Sequence, residues 1–261
     1  MKRKFCSAAF FDIDGTLFDH KSGCIPPLHM KALEELQEQG IKVCLCTARA
    51  LPLIEELGIL HAFAWDGIVA GIGSYLYGKD LQIIEEDCFD SKTIQQLNAI
   101  AKKENTPLFV SGNTIFSTDM NPYTERVLIE NHVFDCPVRD FEESDHPCVI
   151  SFMLDNPEIH RKELEAIENI HCIYARASID VVKEGLSKYK GLQKMMKHFG
   201  FEPSDYIAFG DGASDLEMLQ HALLAAAMED SDDTLYHAFP VHCPSAHEAG
   251  IYTFLKEKGV I

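Results

Sequence analysis

Near the start of the chain, Ala8-Ala9-Phe10-Phe11 runs straight into Asp12-Ile13-Asp14-Gly15-Thr16-Leu17. A short apolar run closed by a turn signal predicts a strand buried on both faces, as in a parallel sheet covered by helices. Open sheets of that kind place their ligand sites beyond the carboxyl ends of the strands. Asp12 and Asp14 leave the strand toward the same side, because side chains alternate with a period of two. Two carboxylates held so close repel each other unless a cation or a proton-transfer task compensates them. A calcium loop does not account for them. An EF-hand needs Glu at its twelfth position, and counting from Asp12 or Asp14 reaches Gly23 or Ile25. A helix cap explains one Asp, not two.

The alternation continues past this stretch. Pro27 opens a helix carrying Leu28, Ala32, Leu33 and Leu36 on one face, ended by Gly40. Ile41 to Cys46 reads as a second strand, a short helical stretch follows with Pro52 near its start, and Ile68 to Ala70 reads as a third strand. Strand, helix, strand, helix, strand predicts a parallel sheet. The middle of the chain changes character. Ser91 is placed to cap a helix bearing Ile94, Leu97 and Ala101, and Leu108–Val110 and Ile115–Phe116 flank Gly112-Asn113 as in a hairpin. Helices are expected over 122–131 and 157–168, with strands over 148–154, 170–175 and 179–183. The first pattern then returns. Leu192, Met195, Met196 and Phe199 mark one helix face, 206–209 and 223–228 read as strands, and 246–258 as a closing helix. The Met-rich stripe reads as core. The expected fold is α/β: a doubly wound, mostly parallel sheet from residues 1–81 and 182–261, with an α+β cap inserted over 82–181.

Charge narrows the function. Against 23 Lys and Arg stand 41 Asp and Glu, a net charge of −18, which argues against a nucleic-acid or anionic-membrane surface. An anionic substrate must therefore find a local basic pocket. The nine cysteines are odd in number and form no CxxC pair, the usage of a reduced, cytoplasmic protein. Cys44 and Cys46 sit within an apolar run as small hydrophobes. Lys2-Arg3-Lys4 precedes only seven residues before Asp12, with no small-residue cleavage site, so a signal peptide is not expected. No apolar run approaches the ~18 residues of a membrane span.

Further polar residues stand where strands end or helices begin. Thr47, after the second strand, offers a hydroxyl and backbone N–H groups that suit a phosphate oxygen, although Thr is also a common helix cap. Lys188 precedes the Leu192 helix within Gly185-Leu186-Ser187-Lys188; a cation is needed beside an attacking carboxylate, although a lone Lys there is commonly a solvated charge. Asp211 and Asp215 follow the strand at 206–209 in Gly210-Asp211-Gly212-Ala213-Ser214-Asp215. For Asp215, an acid attracted to a helix N-terminus is the competing explanation.

Taken in order, Asp12-Ile13-Asp14-Gly15-Thr16, Thr47-Ala48-Arg49, Gly185-Leu186-Ser187-Lys188 and Gly210 to Asp215 resemble the four motifs of the haloacid dehalogenase (HAD) superfamily, in its Cof-type subfamily IIB. The resemblance implies a Rossmann-like core with an inserted cap, and a Mg²⁺-dependent phosphatase acting on a small phosphorylated metabolite through an aspartyl-phosphate. It assigns Asp12 as nucleophile, Asp14 as acid and base, and Thr47 and Lys188 as phosphate-binding residues. Asp12, the backbone carbonyl of Asp14, and Asp211 become metal ligands, with Asp215 orienting the site behind them. Members that attack carbon lack the second acid, so Asp14 points to phosphoryl transfer.

The chain departs from the family pattern at Ala48 for Gly, at Ser214 for Asn, at Ile72-Gly73-Ser74 for Asn-Gly-Ala, and after Met228, where Glu229-Asp230-Ser231 stands in place of the usual Met-Gly-Asn-Ala. A phosphomutase acting on a sugar phosphate, or a catalytically impaired phosphate-binding protein, are the alternatives. The insert, with Arg126, Arg139, Arg161 and Arg176 as candidates to touch the leaving group, is expected to select substrate rather than perform chemistry.

Overall fold

In the computed structural model, which describes residues 5–156, 158–174 and 177–261, the alternation inferred from the sequence is realised. The first half runs β1 (Ala8–Phe11), α1 (Pro27–Glu38), β2 (Lys42–Cys46), α2 (Leu51–Glu56), β3 (Gly67–Ala70), β4 (Tyr75–Gly78), β5 (Ile83–Glu86), α3 (Ser91–Lys103), β6 (Leu108–Gly112), β7 (Ile115–Ser117) and α4 (Pro122–Glu130). The second half runs β8 (Pro147–Met153), α5 (Glu158–Leu164), β9 (Ile170–Tyr174), β10 (Ser178–Lys183), α6 (Lys188–Phe199), β11 (Tyr206–Gly210), α7 (Leu216–Gln220), β12 (Leu224–Met228), α8 (Asp233–Ala238), β13 (His242–Cys243) and α9 (Gly250–Glu257). Two compact units result, one of Met1–Ala48, Ile59–Glu85 and Ser187–Ile261, the other of Arg49–Gly58 and Glu86–Leu186.

The first unit is built on one sheet, ordered β13-β12-β11-β1-β2-β3-β4-β5. From β13 to β3 every neighbouring pair is parallel, and β4 turns back antiparallel on β3. The chain winds outward from β1 through β2 to β3 on one side, and from β11 through β12 to β13 on the other. The sequence order reverses between β1 and β11, and the crevice at such a reversal is where ligands enter. Alternation along β1 serves two covering layers. Ala8 and Phe10 join Leu192, Met195 and Met196 of α6 and Met218 and Leu219 of α7. Phe11 faces the other way, stacked on Phe209 at 5.5 Å, and Phe209 meets Phe254 of α9 edge-on at 5.7 Å. The methionines at 195 and 196 are fully buried, as core residues should be. Cys44 and Cys46 are buried too, and burial pushes both thiols above the ordinary cysteine range.

The second unit carries an antiparallel sheet ordered β7-β6-β8-β10-β9. On one face, Leu97 and Ile100 of α3 and Leu164 of α5 pack over Val110, Ile150, Phe152 and Val181. On the other, Leu53 of α2 and Val127 and Leu128 of α4 cover Phe109 and Met153. Arg49 donates to the Asn131 carbonyl at 3.1 Å, and Glu56 accepts from the Phe134 amide at 2.6 Å, tying α2 to this unit.

Some local expectations are corrected. The cap of α3 is Asp90, whose carboxylate accepts from the Thr93 amide at 2.7 Å, and Ser91 is the first helical residue. Asp outcompetes Ser because its charge also meets the helix dipole. The last helix is shorter than 246–258: a 3₁₀ turn at Ala246–Glu248 is broken from α9 by Ala249 in the left-handed region, φ 56°. The helix expected over 157–168 spans Glu158–Leu164. Strands β4, β5 and β13 are not among the strands that the sequence pattern predicts. Arg176, Ala175, Pro157 and Lys2-Arg3-Lys4 lie outside the described residues. Among the described residues no helix is long and apolar enough to cross a membrane.

Candidate active site

The ladder of β1 continues one residue past the strand, where the Asp12 amide donates to the Phe209 carbonyl at 3.1 Å. The chain then turns tightly: the Ile13 carbonyl accepts from Thr16, Leu17 and Phe18 amides at 3.3, 3.0 and 2.8 Å. Gly15 makes the turn possible, with φ +70°, and a Cβ there would stand 2.1 Å from Asp211 Oδ2. Asp12 is left buried at 5% exposure, while Asp14 stays half-buried and meets His20 Nε2 at 3.0 Å.

Thr47 leaves β2 and is buried; its amide donates to the Val69 carbonyl at 2.8 Å, and its carbonyl accepts from the Ile72 amide at 3.1 Å. The turn after β3 that makes this contact holds Ile72 at φ 58°, a left-handed conformation that a β-branched residue rarely adopts. It also presses on the start of α6, since a Cβ on Gly73 would fall 2.5 Å from the Ser187 carbonyl oxygen. Ser187 caps α6, accepting from the Lys190 amide at 3.1 Å. Lys188 is the first helical residue and only 2% exposed. Its ammonium donates to Asp12 Oδ1 at 2.7 Å and to Asp215 Oδ1 at 2.8 Å. Lys190 is exposed.

Asp215 is fully buried, and its other oxygen accepts from the Asp211 and Gly212 amides at 3.2 and 3.0 Å. It makes no cap bond to the following helix. The loop after β11 is therefore folded around Asp215, which serves as a buttress with both oxygens engaged. Asp211 emerges from that loop toward Asp12, with Thr16 Oγ1 at 3.5 Å from its Oδ1.

Carboxylate oxygens of Asp12, Asp211 and Asp215 lie within 4.8 Å of one another. One ammonium faces three carboxylates, and the imbalance shows in their proton affinities. Burial, opposed by Lys188 but reinforced by Asp215, Asp211 and Asp14, holds the Asp12 carboxyl well above the usual range. Burial, then the charge of Asp215, pushes Asp211 up to about 6. Burial works against the Lys188 ammonium, but Asp12 and Asp215 outweigh it and keep its pKa above the ordinary lysine value. Closely set hard oxygens with an excess of negative charge are the donor set Mg²⁺ prefers, so the residues present fit a divalent cation.

All six residues expected to carry chemistry, Asp12, Asp14, Thr47, Lys188, Asp211 and Asp215, belong to the first unit. A profile of the haloacid dehalogenase-like hydrolases matches residues 9–255. The chain belongs to that family. Its place is the Cof-type subfamily IIB of the HAD phosphatases, with the inserted antiparallel cap sheet of that fold. The HAD subclass IIB sugar phosphatase BT4131 superposes with a TM-score of 0.83 at 26% identity, over 98% of this chain and 100% of the other. YkrA of Bacillus subtilis (strain 168), provisionally named a phosphatase, is 28% identical over 97% of both chains. The HMP-PP phosphatase of Yersinia pseudotuberculosis is 27% identical over 81% of this chain and 79% of its own.

Against the HAD pattern, Ser214 is exposed and Ile72 keeps a backbone conformation that suits the Asn usual there. The sequence reading missed two residues at this site. Asp232 accepts from the Ala213 amide at 2.6 Å and from the Leu235 amide at 2.7 Å, and donates its own amide to the Asp211 carbonyl at 2.8 Å. It clamps the loop that carries Asp211. An Asp three residues before an apolar position was a readable cap signal for α8; the second bond was not readable. His20 is the other, and no local pattern marks it. In the second unit, Arg139 is held by Asp145 through bonds of 2.8 and 2.7 Å, and Arg161 by Glu158 through two of 2.8 Å. Arg126 is exposed beside Glu130.

Proposed function

We propose that this HAD phosphatase hydrolyses a small phosphomonoester, a sugar phosphate or similar metabolite, through a phosphorylated Asp12. The observation that carries the reading is the meeting of Lys188 with Asp12 and Asp215 in a buried centre, with Asp14 retained two residues from Asp12. Binding alone needs no second acid at that place. Mg²⁺, held by Asp12, Asp211 and the Asp14 backbone carbonyl, would supply charge neutralisation for the phosphoryl oxygens. In the first half-reaction an Asp12 oxygen bonds to phosphorus as the ester P–O bond breaks, and Asp14 gives its proton to the departing oxygen. In the second, Asp14 takes a proton from water, the water oxygen bonds to phosphorus, and the bond to Asp12 breaks. Lys188 and Thr47 hold the phosphoryl oxygens, and Asp215 keeps Lys188 and the Asp211 loop in place.

Relatives named for action on small phosphorylated compounds, among them BT4131 and the Yersinia HMP-PP phosphatase, support the substrate class. The second unit selects the leaving group, since none of the six residues belongs to it. The net charge of −18 favours a small substrate over nucleic acid or an anionic membrane, and the cysteine usage favours the cytoplasm. The test is phosphate release from a panel of sugar phosphates, nucleotides and cofactor phosphates, with Mg²⁺ and with chelator. Release should require Mg²⁺ and fall at least ~10³-fold in folded Asp12→Asn. Full activity after chelation, or turnover by the variant within a factor of ~10 of wild type, would reject the reading.

A further inference from the structure

A carboxyl that both gives and takes a proton needs one oxygen facing the reaction and a fixed rotamer. Asp14 is only half-buried, so packing alone does not fix it. His20 meets it: Nε2 lies 3.0 Å from Asp14 Oδ1. The imidazole is 39% exposed but rests against a packed ring. It stands edge-on to Phe18, centroids 5.3 Å apart and planes at 76°, and Phe18 is 3% exposed. Next to it in the chain, the buried Asp19 accepts from the Lys21 and Ser22 amides at 3.0 and 3.2 Å, from the Ser22 hydroxyl at 2.7 Å, and pairs with His247 at 2.9 Å. The residues before and after His20 are thus anchored, and the loop presents the ring to Asp14 from a set position.

We propose that His20 is a positioning residue for Asp14. Its Nε2–H donates to Oδ1 and leaves Oδ2 as the atom that moves the proton. The donor exists in the Nε2–H tautomer and in the imidazolium alike, and Oδ1 accepts whether Asp14 is a carboxylate or an acid. The contact therefore persists through both half-reactions. In the first, the Oδ2 proton passes to the leaving oxygen as the ester P–O bond breaks. In the second, Oδ2 takes a proton from the water whose oxygen bonds to phosphorus as the Asp12–phosphorus bond breaks. The assignment rests on the phosphatase reading above.

The test compares wild type, Asp14→Asn, His20→Ala, His20→Gln and the double variant His20→Ala/Asp14→Asn, all folded by circular dichroism, at saturating Mg²⁺. The substrates are phenyl phosphate, whose leaving group needs a proton, and 4-nitrophenyl phosphate, whose leaving group hardly does. His20→Ala should lower kcat about tenfold on phenyl phosphate and less than about twofold on 4-nitrophenyl phosphate. His20→Gln, which keeps an N–H donor, should recover most of that loss. The double variant should match Asp14→Asn, since two residues acting through one proton do not add. Equal losses on both substrates, no recovery by Gln, or an additive double variant overturns the positioning role alone, provided Asp14→Asn shows the leaving-group dependence. If wild type releases no phosphate, or Asp14→Asn shows no such dependence, the catalytic reading of Asp14 falls and the role of His20 with it.

Discussion

Lys188 Nζ lies 2.7 Å from Asp12 Oδ1, although 176 residues of chain separate the two. The same ammonium holds Asp215, so one buried cation joins the strand end at β1 to the loop after β11.

Lys188→Met leaves that cluster of carboxylates without its counter-charge. Breaking a buried pair by removing one partner costs about 3–5 kcal/mol. The loss should depend on pH. The folded Asp12 carboxyl already titrates above its ordinary value of 3.8, chiefly through burial, and removing Lys188 raises it further. A carboxyl whose folded pKa exceeds the unfolded one contributes stability below the unfolded pKa and loses it as pH rises through the folded pKa. The deficit of Lys188→Met, measured by urea unfolding, should therefore grow as pH rises through the folded Asp12 pKa. A deficit that is the same at acid and at alkaline pH speaks against the charge cluster.

Ile72 is buried at 9% exposure yet sits at φ 58°. Burial of such a side chain stabilises by roughly 1.5–3 kcal/mol, and the backbone strain costs about 1–3 kcal/mol. The two nearly cancel. Ile72→Gly should change the unfolding free energy by less than about 1 kcal/mol, whereas Ile68→Ala, in the unstrained β3, should cost about 2–5 kcal/mol. Equal losses at both positions contradict strain at Ile72.

Gly15→Ala puts a methyl 2.1 Å from Asp211 Oδ2 on a backbone that disfavours it. Asp211 must shift. The Mg²⁺ concentration for half-maximal phosphate release should rise about tenfold, the scale seen when groups supporting a metal ligand are disturbed. An unchanged Mg²⁺ requirement in a folded variant removes Asp211 from the metal set.

His29 joins three elements of the first unit. From α1, its Nδ1 meets the Leu17 carbonyl at 3.3 Å, and Nε2 accepts from the Ile251 amide of α9 at 3.3 Å. Burial lowers its pKa to about 4, against the opposing pull of the Leu17 carbonyl. With the folded pKa below the unfolded value of 6.5, the stability it contributes is complete above pH 6.5 and lost as pH falls toward 4, up to about 3 kcal/mol. Urea titrations of wild type and His29→Gln should show the advantage of wild type shrinking from pH 7 to pH 4.5. Parallel curves would mean that His29 titrates alike in the folded and unfolded chain, so that burial does not lower its pKa.

The sequence by itself determined what is local. The run into Asp12, the helical stripe of α1, the Met-rich face of α6 and the strand at β11 were legible because a period of two or 3.6 is written in neighbouring residues. Family motifs then named six chemical residues, and the tertiary structure decided how they meet. Nothing near Lys188 in sequence says that its ammonium reaches Asp12 and Asp215, or that Asp232 clamps Asp211. Strand β13, only two residues long, and β4, antiparallel on β3, exist because a neighbouring edge was there to pair with. Cap choice at Asp90 over Ser91 turned on a single bond. The contact of His20 with Asp14 depends on a turn that Gly15 permits and on Phe18 and Asp19 being anchored by residues as distant as His247. Such contacts are set by closure of the chain over long separations, and hydrophobic periodicity carries no record of them.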